Sequence, residues 1–172
     1  MNSMVQHELR HKEWFAVYTK SNHEKVVNSQ LLNKDIESYL PLRNITSQWK
    51  DRKKLVQIPL FPGYLFVNTS PNSLSSVFNT KSVVSVLGDY TKPIPIPDEQ
   101  IESIKKLLDS DLVYDPYPYL IIGKEVEIIY GPLTGTTGKV VERNGTYKVI
   151  ISIDMLKRSV AVEIGIEDVK LL

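Results

Sequence analysis

Residues 126–145 read VEIIYGPLTGTTGKVVERNG, and this stretch decides the architecture of the C-terminal part of the chain. A β-branched run at Val126–Ile129 is followed by Gly131-Pro132, a tight turn, and Val140-Val141 starts a second strand. Gly135 and Gly138, between the two strands, permit positive φ. The same pattern continues to the C-terminus, with strands predicted at Val126–Ile129, Gly138–Val141, Tyr147–Ile151, Ser159–Glu163 and Val169–Leu171. Glycines 131, 135, 138 and 145 fall in the turns. Five short strands in about fifty residues predict a small closed β-barrel, and closure answers the edge-strand problem in so small a unit.

Upstream of residue 120 the pattern differs. Residues 110–119 lack periodicity and carry two prolines, which reads as a linker. Before it, the aromatic and β-branched run Trp14–Thr19 predicts a strand. Ser21 and Glu24 have capping-box spacing ahead of a helix to about Asn33, with Val27 and Leu31 on one face. Glu37–Leu42 reads as a second strand, and Ile45–Ile58 as two ribbon strands around the charged tip Lys50-Asp51-Arg52-Lys53-Lys54. Tyr64–Val67 is a fourth strong strand. Ser70-Pro71 opens a helix with the hydroxyl at the N-cap, Val83–Leu87 is a short strand, and Pro93, Pro95 and Pro97 hold an extended segment. Asp98 opens a last helix with Ile101, Ile104 and Leu108 on one stripe. The organisation expected is a disordered N-terminus (1–12), an α+β domain (13–109), a linker (110–119) and a β-barrel (120–172).

Composition narrows the chemistry. With no cysteine in 172 residues, disulfides, thiolate metal sites and cysteine nucleophiles are excluded. Three histidines near the N-terminus do not make a metal cluster, so neither metal nor cofactor is expected. No phosphate loop, nucleophile elbow or paired-carboxylate motif appears, so no catalytic residue is assigned. A net charge of +1 is low for a protein that holds nucleic acid mainly through phosphates, so any such contact is local. No apolar signal core and no run of about 20 apolar residues is present, which predicts a cytoplasmic protein without membrane attachment.

The stretch at 126–145 resembles the KOW motif in its Gly-Pro-Leu-x-Gly-x-x-Gly-x-Val form. Trp14-Phe15-x-Val17-Tyr18, the helix carrying Glu24, Tyr39-Leu40-Pro41 and Pro59–Val67 follow the order seen in the NGN domain of the NusG family. Together the two resemblances cover nearly the whole chain. Trp49-x-Asp51-Arg52-Lys53-Lys54 before Phe-Pro-Gly-Tyr further resembles the UpxY type of specialised paralogue, of the same kind as RfaH, which antiterminates long surface-polysaccharide operons; the housekeeping NusG is the alternative subclass. The resemblance implies an RNP-like, four-stranded antiparallel sheet flanked by helices, followed by an SH3-like KOW barrel. It also implies a non-enzymatic transcription elongation factor and antiterminator, acting as a monomer.

Residue roles follow from the same resemblance. The NGN domain of the family docks on the β′ clamp helices of RNA polymerase, bridges toward the β gate loop and suppresses pausing. Matching positions on the apolar docking face are Tyr18, Phe61, Tyr64 and Phe66, whereas Trp14, Phe15 and Leu65 are expected in the core. Ser75 and Ser76 fall where some members carry a polar motif for the gate loop. Lys50, Arg52, Lys53 and Lys54, with Trp49 and with Lys20 and His23 nearby, imply contact with upstream or non-template DNA or nascent RNA; a solvated hairpin tip is the plain alternative. Met155 and Leu156 match the loop through which KOW domains meet the small-subunit ribosomal protein NusE or Rho, or else they cap the barrel. Ile58 stands where members with a helical, closed KOW domain have glutamate, so a constitutive barrel is expected. Two other binding classes fit less well. Gly63–Val67 faintly resembles an RRM strand, but Pro62 and Thr69 break that pattern, and KOW-containing ribosomal proteins are far more basic.

Overall fold

A computed structural model describes residues 11–48, 52–89, 92–118, 123–143 and 146–172. It divides into two compact units, Met1–Ile96 and Pro97–Leu172. The residues expected as a disordered N-terminus lie, apart from 11 and 12, outside the described residues.

In the first unit, β1 (Glu13–Thr19), β2 (Glu37–Tyr39), β5 (Tyr64–Thr69) and β6 (Val83–Val86) form one sheet in the order β2-β5-β1-β6. All its pairings are antiparallel. Side chains alternate across it. Phe15, Val17, Leu65 and Val67 point to one face and pack with Val27 and Leu31 of α1 (Glu24–Leu32) and Leu74 and Val77 of α2 (Leu74–Phe78). Trp14, Phe15 and Leu65 are buried, as expected of core residues. The segment after β6 returns to β1, where Ile96 N–H donates to the Trp14 carbonyl at 2.7 Å. Strands β3 (Leu42–Gln48) and β4 (Lys53–Pro59) make a separate two-stranded ribbon. The second predicted strand therefore ends at Tyr39, and Leu42 begins the ribbon.

In the second unit, β7 (Tyr114–Pro118), β8 (Lys124–Ile128), β9 (Thr137–Arg143), β10 (Thr146–Ile153), β11 (Arg158–Glu163) and β12 (Val169–Leu171) form one sheet in the order β12-β8-β9-β10-β11-β7. The five strands read from the sequence are present, and the C-terminal region is β rather than a helical hairpin. The sixth, β7, lies where a linker was expected. Proline cannot donate to a ladder but is tolerated on an edge strand, and among the described residues β7 pairs with β11 alone, Pro116 opposite Val160. Helix α3 (Asp98–Asp109) falls in this unit and packs on β10, whereas the α+β domain expected from the sequence runs to 109.

Local corrections have simple causes. Gly138 does not use positive φ. It sits within β9, where a Cβ would stand 2.6 Å from the Ile150 carbonyl oxygen and 2.7 Å from Val149 Cγ1. Gly135 does take positive φ, +80°. The buried stripe of α3 includes Leu107 rather than Leu108, because the helix buries positions 101, 104 and 107 at i, i+3 spacing. Ser70 stands at the N-cap with Pro71 in the first turn, but its side chain makes no cap bond; its hydroxyl bonds that of Ser73 at 3.1 Å, and the first turn, over Pro71–Ser73, is 3-10 and precedes α2. The Ser21–Glu24 capping box is also absent, since the Glu24 carboxylate is used elsewhere.

Candidate functional site

Residues 61–64 form the turn that enters β5. Tyr64 N–H donates to the Phe61 carbonyl at 3.0 Å, and Gly63 has φ +86°. Proline followed by a positive-φ glycine is the chemistry of a type II turn. The turn is pinned from outside: Gly63 N–H donates to Glu24 Oε1 at 2.7 Å, and the Gly63 carbonyl accepts from Thr19 N–H at 2.9 Å. Glu24 and Thr19 are buried, 5% and 1% exposed. A carboxylate taking a backbone N–H is a charge-assisted bond, stronger than a neutral one. Glu24 thus fixes the end of β5 from the first turn of α1.

Beside this turn lie two tyrosines. Tyr18 and Tyr64 are directly opposed across β1 and β5, with ring centroids 5.2 Å apart and planes inclined by 38°. Tyr18 is 40% exposed and Tyr64 half-buried. Glycine at 63 leaves room for the ring, since a Cβ there would stand 3.1 Å from Tyr18 Cε2. The result is an aromatic pair with a wet edge on a rigid strand end.

The other two aromatics expected on this face are not accessible. Phe61 and Phe66 are 2% and 0% exposed. Phe66 stands opposite the small Ala16, with Tyr39 stacked at 6.3 Å and Phe61 edge-on at 6.2 Å. They form a supporting layer on the same side as the tyrosine pair.

Ser75 and Ser76 are both exposed on α2. Lys34 holds this short helix: its Nζ donates to the Ser76 carbonyl at 3.2 Å and to Thr80 Oγ1 at 2.8 Å, the usual way a lysine satisfies carbonyls near a helix C-terminus. Lys20, His23, Arg52, Lys53 and Lys54 are exposed, whereas Trp49 and Lys50 lie outside the described residues. Helix α1 meets the ribbon through Lys25, whose Nζ donates to the Gln57 carbonyl at 2.7 Å. Charge is unevenly divided. Residues 1–96 carry twelve Lys and Arg against seven Asp and Glu, while residues 97–172 carry nine against thirteen. The overall +1 conceals a basic first unit and an acidic second one.

In the second unit Leu156 is only 7% exposed and Met155 half-buried, in a 3-10 turn over Asp154–Leu156. Leu156 packs inward as a cap, so of the expected pair Met155 alone is partly accessible. The turn is held by α3: Gln100 Nε2 donates to Asp154 Oδ2 at 2.8 Å and Asp154 N–H donates to Gln100 Oε1 at 3.0 Å. Sequence reasoning missed Gln100, Lys34 and the use of Glu24, because each acts on a residue distant in the chain.

A family model for the transcription termination factor NusG matches residues 12–105. The chain is 27% identical to the transcription termination/antitermination protein NusG of Lactococcus lactis, over 91% of each chain. It is 30% identical to the protein of that name from Staphylococcus epidermidis, over 96% of this chain and 98% of the relative. The fold resembles a solved structure describing domain interaction in Thermotoga maritima NusG, with a TM-score of 0.56 and 23% identity over 92% of this chain and 96% of that one. On the family model over residues 12–105 and the end-to-end similarity to its relatives, this chain belongs to the NusG family of transcription factors.

Proposed function

We propose that the protein is a specialised antiterminator that binds RNA polymerase through the sheet face bearing Tyr18 and Tyr64, and suppresses pausing and termination on long operons such as surface-polysaccharide loci. The observation that carries this reading is the Tyr18–Tyr64 pair, partly exposed and fixed at a pinned strand end. Rigid aromatics with one apolar and one wet side are common interface anchors. In this reading they meet the β′ clamp helices, with Phe61 and Phe66 as their buried support. Ser75 and Ser76 face the β gate loop, and the basic ribbon tip touches upstream or non-template DNA or nascent RNA. Met155 is the contact offered to NusE or Rho.

The test is a pull-down with purified core polymerase. Wild type binds; Tyr18→Ala and Tyr64→Ala retain their fold and lose most binding. Full binding by both variants rejects the docking face. A second reading, housekeeping NusG, is favoured by end-to-end similarity to relatives of that name. Genomic occupancy separates the two: a few long operons support the specialised role, and broad occupancy supports the housekeeping one.

A further inference from the structure

The ribbon has two chemically different faces. Its register runs from Leu42 opposite Pro59 to Gln48 opposite Lys53. Residues directly opposed in an antiparallel pair project to the same side, and successive pairs alternate. Arg43/Ile58 and Ile45/Val56 form the inner, half-buried face. Asn44/Gln57, Thr46/Leu55 and Gln48/Lys53 form the outer face, and all six residues are exposed. Leu55 is 67% exposed, an unusual place for a leucine on an otherwise polar surface.

We propose that the Asn44/Gln57 and Thr46/Leu55 pairs of this outer face read base edges in the major groove of double-stranded DNA, with a preference for A·T pairs. The inference deepens the reading above that the ribbon contacts nucleic acid, and rests on it. Asparagine and glutamine side chains pair bidentately with adenine N6 and N7, and an apolar side chain packs on the thymine methyl. Asn44 and Gln57 supply the amides, and Leu55, beside Thr46, supplies the apolar contact. Two strands about 4.8 Å apart fit a groove about 12 Å wide. The occupant follows from charge and shape. Arg52 and Lys53 at one end suit phosphates, and the unit carrying the ribbon has five more basic than acidic residues, twelve against seven. The six outer residues offer amides, a hydroxyl, an aliphatic group and a lysine, which suit base edges, and no ring along this face for a single strand to stack on; Trp49, toward the ribbon tip in sequence, lies outside the described residues. The deep, narrow major groove of RNA helices excludes such a ribbon. Lys25, bonded to the Gln57 carbonyl, holds that position in place.

The test uses the full chain and a pool of DNA duplexes randomised over about one helical turn. Selection enriches A·T-containing sequences. The Asn44→Ala/Gln57→Ala double variant, with unchanged thermal melting, binds the selected duplex about tenfold or more weakly and a scrambled duplex as before. Arg52→Ala/Lys53→Ala weakens both alike and flattens the salt dependence. Replacing adenine by 7-deazaadenine in the selected duplex weakens wild-type binding, a readout independent of any variant's fold. The proposal is overturned if no sequence is enriched, if enrichment appears only with single strands or RNA, or if the amide variant affects both duplexes equally or neither. Loss of affinity in the tip variant alone sinks base readout and leaves nucleic-acid contact standing. Absence of wild-type binding to any duplex, single strand or RNA sinks the nucleic-acid reading itself.

Discussion

The backbone N–H of Gly63 donates to the carboxylate of Glu24 at 2.7 Å, joining the first turn of α1 to the start of β5 across 39 residues of chain. The turn immediately precedes Tyr64, so this bond helps to set where that ring leaves the strand. Removing the acceptor leaves a buried N–H unpaired, which costs about 1–3 kcal/mol. Glu24→Ala is expected to lower stability by that amount in denaturant titration and to weaken polymerase binding. Glu24→Gln keeps an oxygen acceptor and loses less. Equal stability of Glu24→Ala and wild type would show the bond to be dispensable.

Gly63→Ala meets two obstacles, a φ of +86° and a contact of 3.1 Å with Tyr18 Cε2. The backbone penalty alone is about 1 kcal/mol. Because the added methyl also displaces the Tyr18 ring, polymerase affinity should fall by more than stability does. A parallel loss in both would mean that Tyr18 is not held in its working position.

Phe66→Ala separates support from contact. The ring is fully buried between Tyr39 and Phe61, and large-to-small changes at such sites cost about 3–5 kcal/mol. Its binding defect should therefore track a lowered melting temperature, whereas Tyr18→Ala should bind poorly while melting nearly as wild type. A stable Phe66→Ala that fails to bind would place the phenylalanine in the interface.

Gly138→Ala strikes the second unit. The new Cβ would lie 2.6 Å from a backbone oxygen of β10, so the strands must move apart. Overpacking of this kind costs about 1–3 kcal/mol. Hydrogen exchange should show lost protection in β9 and β10 with the first unit unchanged; loss throughout the chain would contradict the division into two units.

Gln100→Ala removes two bonds to Asp154, both on an exposed surface. Each such bond contributes about 0.5–1.5 kcal/mol, so a loss of roughly 1 kcal/mol is expected, with local exchange confined to residues 154–157. An unchanged exchange pattern would show that α3 does not hold the turn.

Much of the fold was legible because its signals are local. Alternation across Trp14–Thr19 and Tyr64–Val67 gave the strands and their faces. Glycines and β-branched runs after residue 123 gave five strands of the second sheet. Where one local signal has two meanings, only the packed neighbour chooses between them. Prolines at 116 and 118 fit a linker or an edge strand, and only the presence of β11 alongside decides between them. Spacing on α3 allowed Leu107 or Leu108, and the packing surface chose Leu107. Phe61 and Phe66 have the sequence signature of docking residues, because an aromatic on the correct face looks the same whether covered or open.

Local sequence determined the two-part order, the strand periodicity and the turns at Gly131 and Gly135, since all of these depend on neighbours within a few residues. Tertiary structure decided which aromatics stay accessible, that Glu24 serves a strand turn and not a helix cap, that Gly138 answers a close approach and not a special φ, and that α3 belongs with the C-terminal sheet. Burial and hydrogen bonding between distant segments are properties of the assembled chain, and no local pattern encodes them.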